Sequence, residues 1–245
     1  MKKNIPQTFL IFLFISTAIL TACTSTPSNP RDPLEPMNRS VYKFNDKADR
    51  WVMKPVAQGY HNYTPAFLRT GVNNFFNNLA DASSSVNYGL QGEAKPSLYR
   101  LSRFLLNSTV GLLGLLDVTA GHEKNYPQTG FGDTYAKWGW KNSRYLVIPL
   151  MGPSTLRDGT GIASGAVFQN HAFYTHVSDN SANAAVLISG VSAREQLLGV
   201  EDIITNASLD PYAYTRDAWL QIRAKKAGDD LPQVEENFDI DDLMN

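Results

Sequence analysis

The chain's only cysteine, Cys23, closes an apolar N-terminal segment, and this feature most restricts how the rest of the chain can fold. Lys2 and Lys3 precede an apolar run over residues 9–20, and the segment ends Leu20-Thr21-Ala22-Cys23. A charged start, a short apolar run and a small-residue end are typical of a cleaved export signal rather than of a spanning helix. With no second thiol in the sequence, the exported body must fold without a disulfide.

The Leu-x-Ala-Cys ending resembles the site at which lipoprotein signal peptidase cuts. It predicts cleavage between Ala22 and Cys23, with several acyl chains on Cys23 anchoring the mature chain durably to a membrane. The alternative is an ordinary secretory signal that is followed by a cysteine by chance. Thr24 stands where an aspartate would resemble an inner-membrane retention signal. We therefore expect a lipid anchor in the outer membrane, on its periplasmic side.

These features divide the chain into four predicted parts: a signal peptide (1–22), a lipidated tether (23–31), one body (32–228) and an acidic tail (229–245). The tail holds seven acidic and no basic residues, which predicts disorder, with a specific docking segment as the alternative. Cleavage removes two of the 22 basic residues and none of the 23 acidic ones, so the mature net charge is about −3. No basic excess is left to bind nucleic acid, and that class of partner is excluded.

The body has the apolar spacing of amphipathic helices. Apolar residues three and four apart predict a helix over 36–53 that Pro55 ends. Thr64 as N-cap and Pro65 in the first turn predict a second helix over 65–79, whose polar face is almost entirely asparagine, and a short helix over 84–90 follows. Further helices are predicted over 154–168, 182–198 and from Asp210 to a stop at Gly228. One short strand or hairpin is expected near 143–150, where Pro149 limits it to an edge.

Residues 96–117 allow two interpretations. Leu98, Leu101 and Leu105 form a helical stripe, and residues 104–116 carry no charge. The segment is too short and too often interrupted by polar residues and glycine to span a bilayer. It is either a buried core helix or a helical hairpin that dips partway into lipid. The following residues, 119–129, are predicted to form an exposed loop.

No pattern in the sequence indicates catalysis, a metal site or a cofactor. The four histidines (His61, His122, His171 and His176) match no zinc spacing. There is no Gly-x-Ser-x-Gly nucleophile elbow, and the glycines of residues 159–165 lie outside any βαβ pattern. Asp117, Asp133 and Asp158 have no base or nucleophile at a telling spacing. We therefore predict that the protein is not an enzyme and uses no cofactor.

Seven blocks of sequence, taken in order, resemble the MlaA (VacJ) family of lipoproteins. The first is Asp32-Pro-Leu-Glu-Pro-Met-Asn-Arg39 with Tyr42 and Phe44, and the second is Asn87-Tyr-Gly-Leu-Gln-Gly92. The others are residues 103–107 with Gly111, Gly114 and Asp117; 131–134 with Trp138-Gly139; Pro149 with 152–158; 194–198; and 210–212 with Arg216. The resemblance covers residues 32–224, and the acidic tail lies outside it.

The resemblance implies a mainly α, ring-like single domain of amphipathic helices that lies in the membrane interface. It implies transport of phospholipids that have strayed into the outer leaflet, through a central amphipathic channel, to a soluble periplasmic carrier. It also implies binding to a trimeric porin, and no catalytic residue or cofactor. The rival interpretation is a structural or adhesive surface lipoprotein without transport activity.

Two groups of residues are assigned to this transport. Residues expected to contact lipid or line the channel are Phe44, Asn74, Phe75, Asn107, Leu112 and Leu113. Residues 119–129 fall where the family has a mobile segment beside the channel, and we predict that this loop gates lipid passage. The gate residues are Gly121, His122, Lys124, Pro127 and Gly130, with the two glycines as hinges.

Overall fold

The computed structural model describes residues 29–121, 126–172, 179–199 and 209–229. The helices of this part are α1 (Glu35–Ala48), α2 (Lys54–Tyr63), α3 (Ala66–Leu90), α4 (Ala94–Thr109), α5 (Phe131–Lys137), α6 (Leu156–Ala172), α7 (Asp179–Gln196) and α8 (Pro211–Ala227). Strands β1 (Tyr145–Ile148) and β2 (Gly152–Thr155) pair as one antiparallel hairpin. The prediction of a mainly α fold with a single short hairpin near 143–150 is confirmed.

Pro55 does not end the first helix, contrary to the sequence prediction. A π-helical turn (Asp49–Met53) follows α1, and α2 begins directly after it with Pro55 in its first turn. The Lys54 N–H donates to the Asp49 carbonyl, five residues back. The wider π turn shifts the backbone hydrogen bonds by one residue just before Pro55. Proline has no N–H to donate, but an N–H in the first turn of a helix needs no helical partner, so Pro55 is tolerated there.

The second and third predicted helices are one helix, α3, which is 25 residues long. Thr64 is the C-cap of α2 and not the N-cap of α3, because Pro65 occupies that position without a side-chain cap. The chain then turns through Gln91 and Gly92, and α4 runs back along α3. The predicted stop at Gly92 is therefore confirmed, and the break expected between residues 79 and 84 is wrong.

Residues 96–117 do not form one buried core helix. The helix α4 ends at Thr109, and a series of tight turns follows in which Leu112 and Leu113 have positive φ. Gly114 is required there, because its φ is +90° and a Cβ on it would lie 2.6 Å from the Asn78 amide nitrogen. Asn107 holds the turns: its carbonyl accepts from the Gly114 N–H, and its side-chain oxygen accepts from the Val118 N–H.

The helix predicted over 154–168 begins two residues later than expected. Ser154 and Thr155 belong to β2, where they pair with Leu146 and Tyr145. Thr155 then caps α6, since its hydroxyl accepts from the Asp158 N–H and donates to the Asp158 carboxylate. The last helix begins and ends as predicted, with Asp210 accepting two backbone N–H bonds and Gly228 left-handed.

The neighbour relations among these elements form a closed cycle, as a ring-like domain requires. Going round it, α1 packs on β1, β2 on α8, α8 on α5, α5 on α3, α3 on α7, and α7 on α2. Ion pairs hold the contact at α7: Arg194 forms a bidentate pair with Asp49 at 2.6 and 2.9 Å. Glu195 beside it accepts from Arg69 of α3 and contacts His61 of α2.

Candidate functional site

The described part of the chain reverses the usual distribution of polar and apolar side chains. Its buried residues include eight hydrophobic ones and 17 polar or charged ones, whereas 33 large hydrophobic side chains are exposed. Soluble monomers rarely expose large contiguous apolar surface, and such surface marks contact with a membrane or a partner. Within the described residues, no helix is long and apolar enough to cross a bilayer.

The hairpin of α3 and α4 shows this reversal most clearly. Leu98, Leu101 and Leu105 project from α4 into solvent, and the turns after it expose Leu112 (63%) and Leu113 (73%). The sequence allowed two interpretations of these residues, a buried core helix or a hairpin that dips partway into lipid. The exposure favours the other interpretation, an apolar edge that is available to lipid.

The facing sides of α3 and α4 line a half-open polar cavity of about 350 Å³. Its lining comes from α3, from α4, from Asp117 just before the 119–129 loop and from Gln128 near the end of that loop. The lining residues are Asn74, Asn77, Asn78, Asp81, Arg100, Arg103, Asn107, Asp117 and Gln128. We refer to this space as the hairpin cavity.

Asp81 is the centre of the charges in the hairpin cavity. Its side chain is 1% exposed and accepts from Arg100 and, at 3.0 Å, from the Arg103 Nε. Arg100 also donates to the backbone carbonyl of Tyr126, which joins α4 to the second half of the 119–129 loop. A buried carboxylate requires such partners, because an unpaired charge is costly away from water.

Asp117 completes the network on the opposite wall. It accepts from the Arg103 Nη2 at 2.9 Å, from the Asn107 amide at 3.1 Å, and from the backbone and hydroxyl of Thr119. Burial alone would raise the pKa of Asp117, but the hydrogen bonds from Thr119 and the Arg103 ion pair lower it. Burial likewise opposes the charge of Arg103, and its hydrogen bonds to Asp81 and Asp117 raise its pKa nonetheless. Asp117 and Arg103 are therefore both ionised at neutral pH. With Asp81 and Arg100, the lining holds two arginines and two aspartates, whose formal charges sum to zero.

Three polar atoms of the cavity lining have no hydrogen-bond partner in the described structure. They are the Nη1 of Arg103, the Nε of Arg100 and the amide oxygen of Asn78. All three have almost no solvent-accessible surface, so a ligand in the cavity contacts them only if these side chains turn toward it. A buried donor or acceptor without a partner costs about 1–3 kcal/mol, and a ligand contacted in this way would recover part of that cost.

A second cavity, of about 450 Å³, lies on the other side of residues 126–130 and is lined by lysines. Lys137 pairs with Glu93 at 2.9 Å, and Lys226 with Asp133 at 2.8 Å. Burial would raise the pKa of Asp133, but Lys226 and Arg223 lower it. The Lys226–Asp133 pair joins α8 to α5, and the Lys137–Glu93 pair joins α5 to the start of α4, so both connect elements of the ring.

The predicted lipid-contact residues fall into three places. Asn74 and Asn107 line the hairpin cavity, and Leu112 and Leu113 form the exposed turn beside it. Phe44 is exposed on α1, and Phe75 is half-buried on α3 against Phe76. The fold thus brings four of the six together, and their contact with lipid stays a prediction.

The predicted gate residues lie on both sides of a gap in the described chain. His122 and Lys124 fall outside the described residues, as do Ala22 and Cys23. Gly121, which ends the described stretch, has φ +83°, whereas Gly130 is extended and its N–H donates to Asp133 at 3.2 Å. The carbonyl of Pro127 accepts from Tyr88 at 2.7 Å, so the far end of the loop is fixed to α3.

The acids that were considered for catalysis have structural partners. Asp158 and Asp133 both accept from Arg223, and Asp117 from Arg103. His61, on α2, contacts Glu195 at 2.7 Å. Among the described residues, no group of three or more histidine, cysteine or acidic side chains lies where it could hold a metal ion.

A model of the family described as MlaA lipoprotein matches residues 30–226, which include the whole polar network and the exposed hairpin. The chain belongs to the MlaA lipoprotein family. The protein of Escherichia coli strain K12 named intermembrane phospholipid transport system lipoprotein MlaA is 32% identical over 220 residues, covering 85% of this chain and 84% of its own. The protein of the same name from Haemophilus influenzae is 31% identical and covers 90% of each chain.

A solved structure has a similar fold. It is described as "Structural basis for maintenance of bacterial outer membrane lipid asymmetry", and its chain is 30% identical in sequence to this one. The match has a TM-score of 0.68 and covers 80% of this chain and 98% of that one. Relatives also occur in Rickettsia, for example an uncharacterized protein of Rickettsia bellii with 34% identity over 197 residues. The resemblance stated from the seven sequence blocks is confirmed.

Sequence reasoning missed the ionic lining of the hairpin cavity. The signal was present, because Arg100, Arg103 and Asn107 are spaced three and four apart on the face of α4 opposite its leucines. Asp81 continues the asparagine face of α3 by the same spacing. Two polar stripes on consecutive helices predict a shared polar interior once the helices are known to form a hairpin.

Proposed function

We propose that this chain is an outer-membrane lipoprotein of intermembrane phospholipid transport. It removes phospholipids that are misplaced in the outer leaflet and passes them toward the periplasm, and so maintains the lipid asymmetry of the membrane. Membership of the MlaA lipoprotein family supports this function, as do the names of the relatives from Escherichia coli and Haemophilus influenzae.

The observation that carries the proposal is the polar interior beneath an apolar exterior. A phospholipid that crosses a leaflet must keep its headgroup away from hydrocarbon, because burying an unpaired charge is costly. The hairpin of α3 and α4 offers both environments within one side chain's length: polar residues facing inward and leucines facing outward. A body that only served as an adhesive or structural element would not need this arrangement, so we do not favour that alternative.

The anchor and the partners complete the proposal. We propose that acyl chains on Cys23 hold the body at the periplasmic side of the outer membrane, and the exposed apolar side chains support a position in the inner leaflet. We propose that a trimeric porin supports it there and that a soluble periplasmic lipid carrier receives the phospholipid. Transport of this kind is binding and release, and it uses no catalytic residue or cofactor of the chain.

We propose that residues 119–129 gate the passage, with Gly121 and Gly130 as hinges. Pro127 and Gly130 are hydrogen-bonded to α3 and α5, so opening at this end of the loop would break these contacts. A pair of cysteines that fixes this loop to α3 under oxidation should lower lipid transfer and restore it on reduction. Unchanged transfer with the loop fully cross-linked contradicts the gate.

Expression in a bacterium that lacks its own family member tests the function. The full chain should lower the amount of phospholipid on the cell surface and restore resistance to detergent. Surface phospholipid is measured by labelling intact cells with a reagent that does not enter them. A chain that is present in the outer membrane at wild-type level without lowering surface phospholipid would refute the proposal.

A further inference from the structure

We propose that the hairpin cavity is a headgroup site that selects zwitterionic phospholipid with a primary ammonium group, such as phosphatidylethanolamine. The inference rests on the proposed function and adds a substrate preference to it. Its parts are the charge balance of the lining, the unpartnered polar atoms and the position of the apolar turn.

The charge balance favours a ligand whose own charges cancel. Arg100 and Arg103 supply two positive charges, and Asp81 and Asp117 supply two negative ones. A zwitterionic headgroup brings one charge of each sign and leaves the enclosed charge at zero. An anionic headgroup such as glycerol phosphate adds an uncompensated negative charge to a lining whose charges already cancel, which is less favourable.

The unpartnered atoms match the two ends of such a headgroup. The Nη1 of Arg103 and the Nε of Arg100 are donors without acceptors, and phosphate oxygens are the strongest acceptors a lipid offers. The amide oxygen of Asn78 is an acceptor without a donor. A primary ammonium group has three N–H donors, whereas the quaternary ammonium of choline has none. The cavity therefore distinguishes phosphatidylethanolamine from phosphatidylcholine as well.

The apolar turn beside the hairpin cavity offers a surface for the acyl chains of the bound lipid. The Asn74 amide, at the cavity wall, donates to the carbonyl of Leu115 at 3.1 Å, so the wall continues directly into the turn that exposes Leu112 and Leu113. A headgroup in the cavity would leave its acyl chains along these leucines. At about 350 Å³, the cavity is in the range of small-molecule sites, which is about 300–1,000 Å³.

Asn77 allows the site to be tested without breaking its ion pairs. Its side chain is exposed at the edge of the cavity, so Asn77→Asp and Asn77→Lys change the local charge in opposite directions. Purified full-length protein in non-ionic detergent is incubated with equal amounts of short-chain phosphatidylethanolamine, phosphatidylcholine and phosphatidylglycerol. The bound species are counted by native mass spectrometry, with inorganic phosphate as a competitor.

We expect wild-type protein to bind phosphatidylethanolamine in preference to the other two. Asn77→Lys should shift the bound ratio toward phosphatidylglycerol by about fivefold, and Asn77→Asp should shift it the other way. Lys95→Asp, an exposed charge reversal on α4 outside the lining, should leave the ratio unchanged. Circular dichroism verifies that each variant is folded.

Equal binding of the three lipids, or equal ratios in both Asn77 variants, overturns the inference while leaving transport intact. Strong competition by inorganic phosphate at the concentration of the lipid also overturns it, because the site would then bind free phosphate rather than a headgroup. If the wild-type chain binds no phospholipid at all, the proposed function fails together with it.

Discussion

Arg223 joins α8 to α5 and α6, and replacing it by methionine should destabilise the body strongly. Its Nη2 lies 2.8 Å from Asp133, and its Nε lies 2.8 Å from Asp158. All three side chains are close to nine-tenths buried. Methionine has a similar length but carries no charge, so it leaves two buried carboxylates with fewer partners.

The size of the effect follows from those partners. Removing one member of a buried ion pair costs about 3–5 kcal/mol, because the charge left behind is uncompensated. Lys226 stays 2.8 Å from Asp133 and Arg157 stays 3.8 Å from Asp158, which places the expected cost near the lower limit, at about 3 kcal/mol. For a domain of this size, 1 kcal/mol shifts Tm by about 2–4 °C, so Tm should fall by about 6–12 °C.

The assay is thermal unfolding of the full chain in non-ionic detergent at pH 7, followed by circular dichroism at helical wavelengths. Lys137→Met is the matched control, because the Lys137–Glu93 pair has the same charges but is much more exposed. An exposed pair contributes less than about 1 kcal/mol, so the control should lose no more than about 4 °C.

The pH dependence supplies a second measurement on the same variants. Burial opposes the charge of Asp133, but Lys226 and Arg223 lower its pKa below the unfolded value of about 3.9. Its contribution to stability is therefore fully present above that pH and is lost as the pH falls through the lower folded pKa. In Arg223→Met the loss should be smaller. Equal melting of Arg223→Met and Lys137→Met at pH 7 would show that the buried network does not hold the ring together.

Three further predictions use other parts of the chain. Asp117 also has a lowered pKa, so wild-type protein should lose stability below about pH 4, measured as Tm against pH; a constant Tm there contradicts the ion-pair network. Gly161→Ala should cost about 2–3 kcal/mol, because its Cβ would lie 2.3 Å from the α5 backbone, whereas Gly59→Ala, with open space, should not destabilise; equal melting refutes the close packing. Cys23→Ser should abolish sorting, yet the body should still sediment with membranes after fractionation. A fully soluble variant would show that the body contacts the membrane through the acyl anchor alone.

Apolar periodicity and local capping residues were enough to predict the helices whose ends are set by nearby residues. The last helix begins at Asp210 and ends at Gly228 because capping there is local, involving residues three or four apart. Pro55 was misjudged for a different reason. A π-helical turn depends on how α1 and α2 pack on their neighbours, and nothing in the local sequence distinguishes it from a helix end.

The end of α4 was beyond local reasoning as well. Gly111 and Gly114 follow Thr109 and weaken a helix there, but they do not set its last residue. The helix stops at Thr109 because Asn107 supplies hydrogen bonds to the turn that follows. Gly114 approaches Asn78 on α3, so the turn is fixed by a contact between distant residues. The same contact brings the polar stripes of α3 and α4 together, which explains why the hairpin cavity could not be predicted from either helix alone.

A body that lies in a leaflet cannot be held together mainly by hydrophobic burial, since lipid tails are as apolar as leucine. Hydrogen bonds and ion pairs must then connect the elements, which accounts for a mostly polar interior in a protein with so many exposed leucines. Arg223 shows this between α8, α5 and α6, and Arg194 shows it between α7 and the π-helical turn that follows α1. These ion pairs do between the elements of the ring what buried leucines do in a soluble protein.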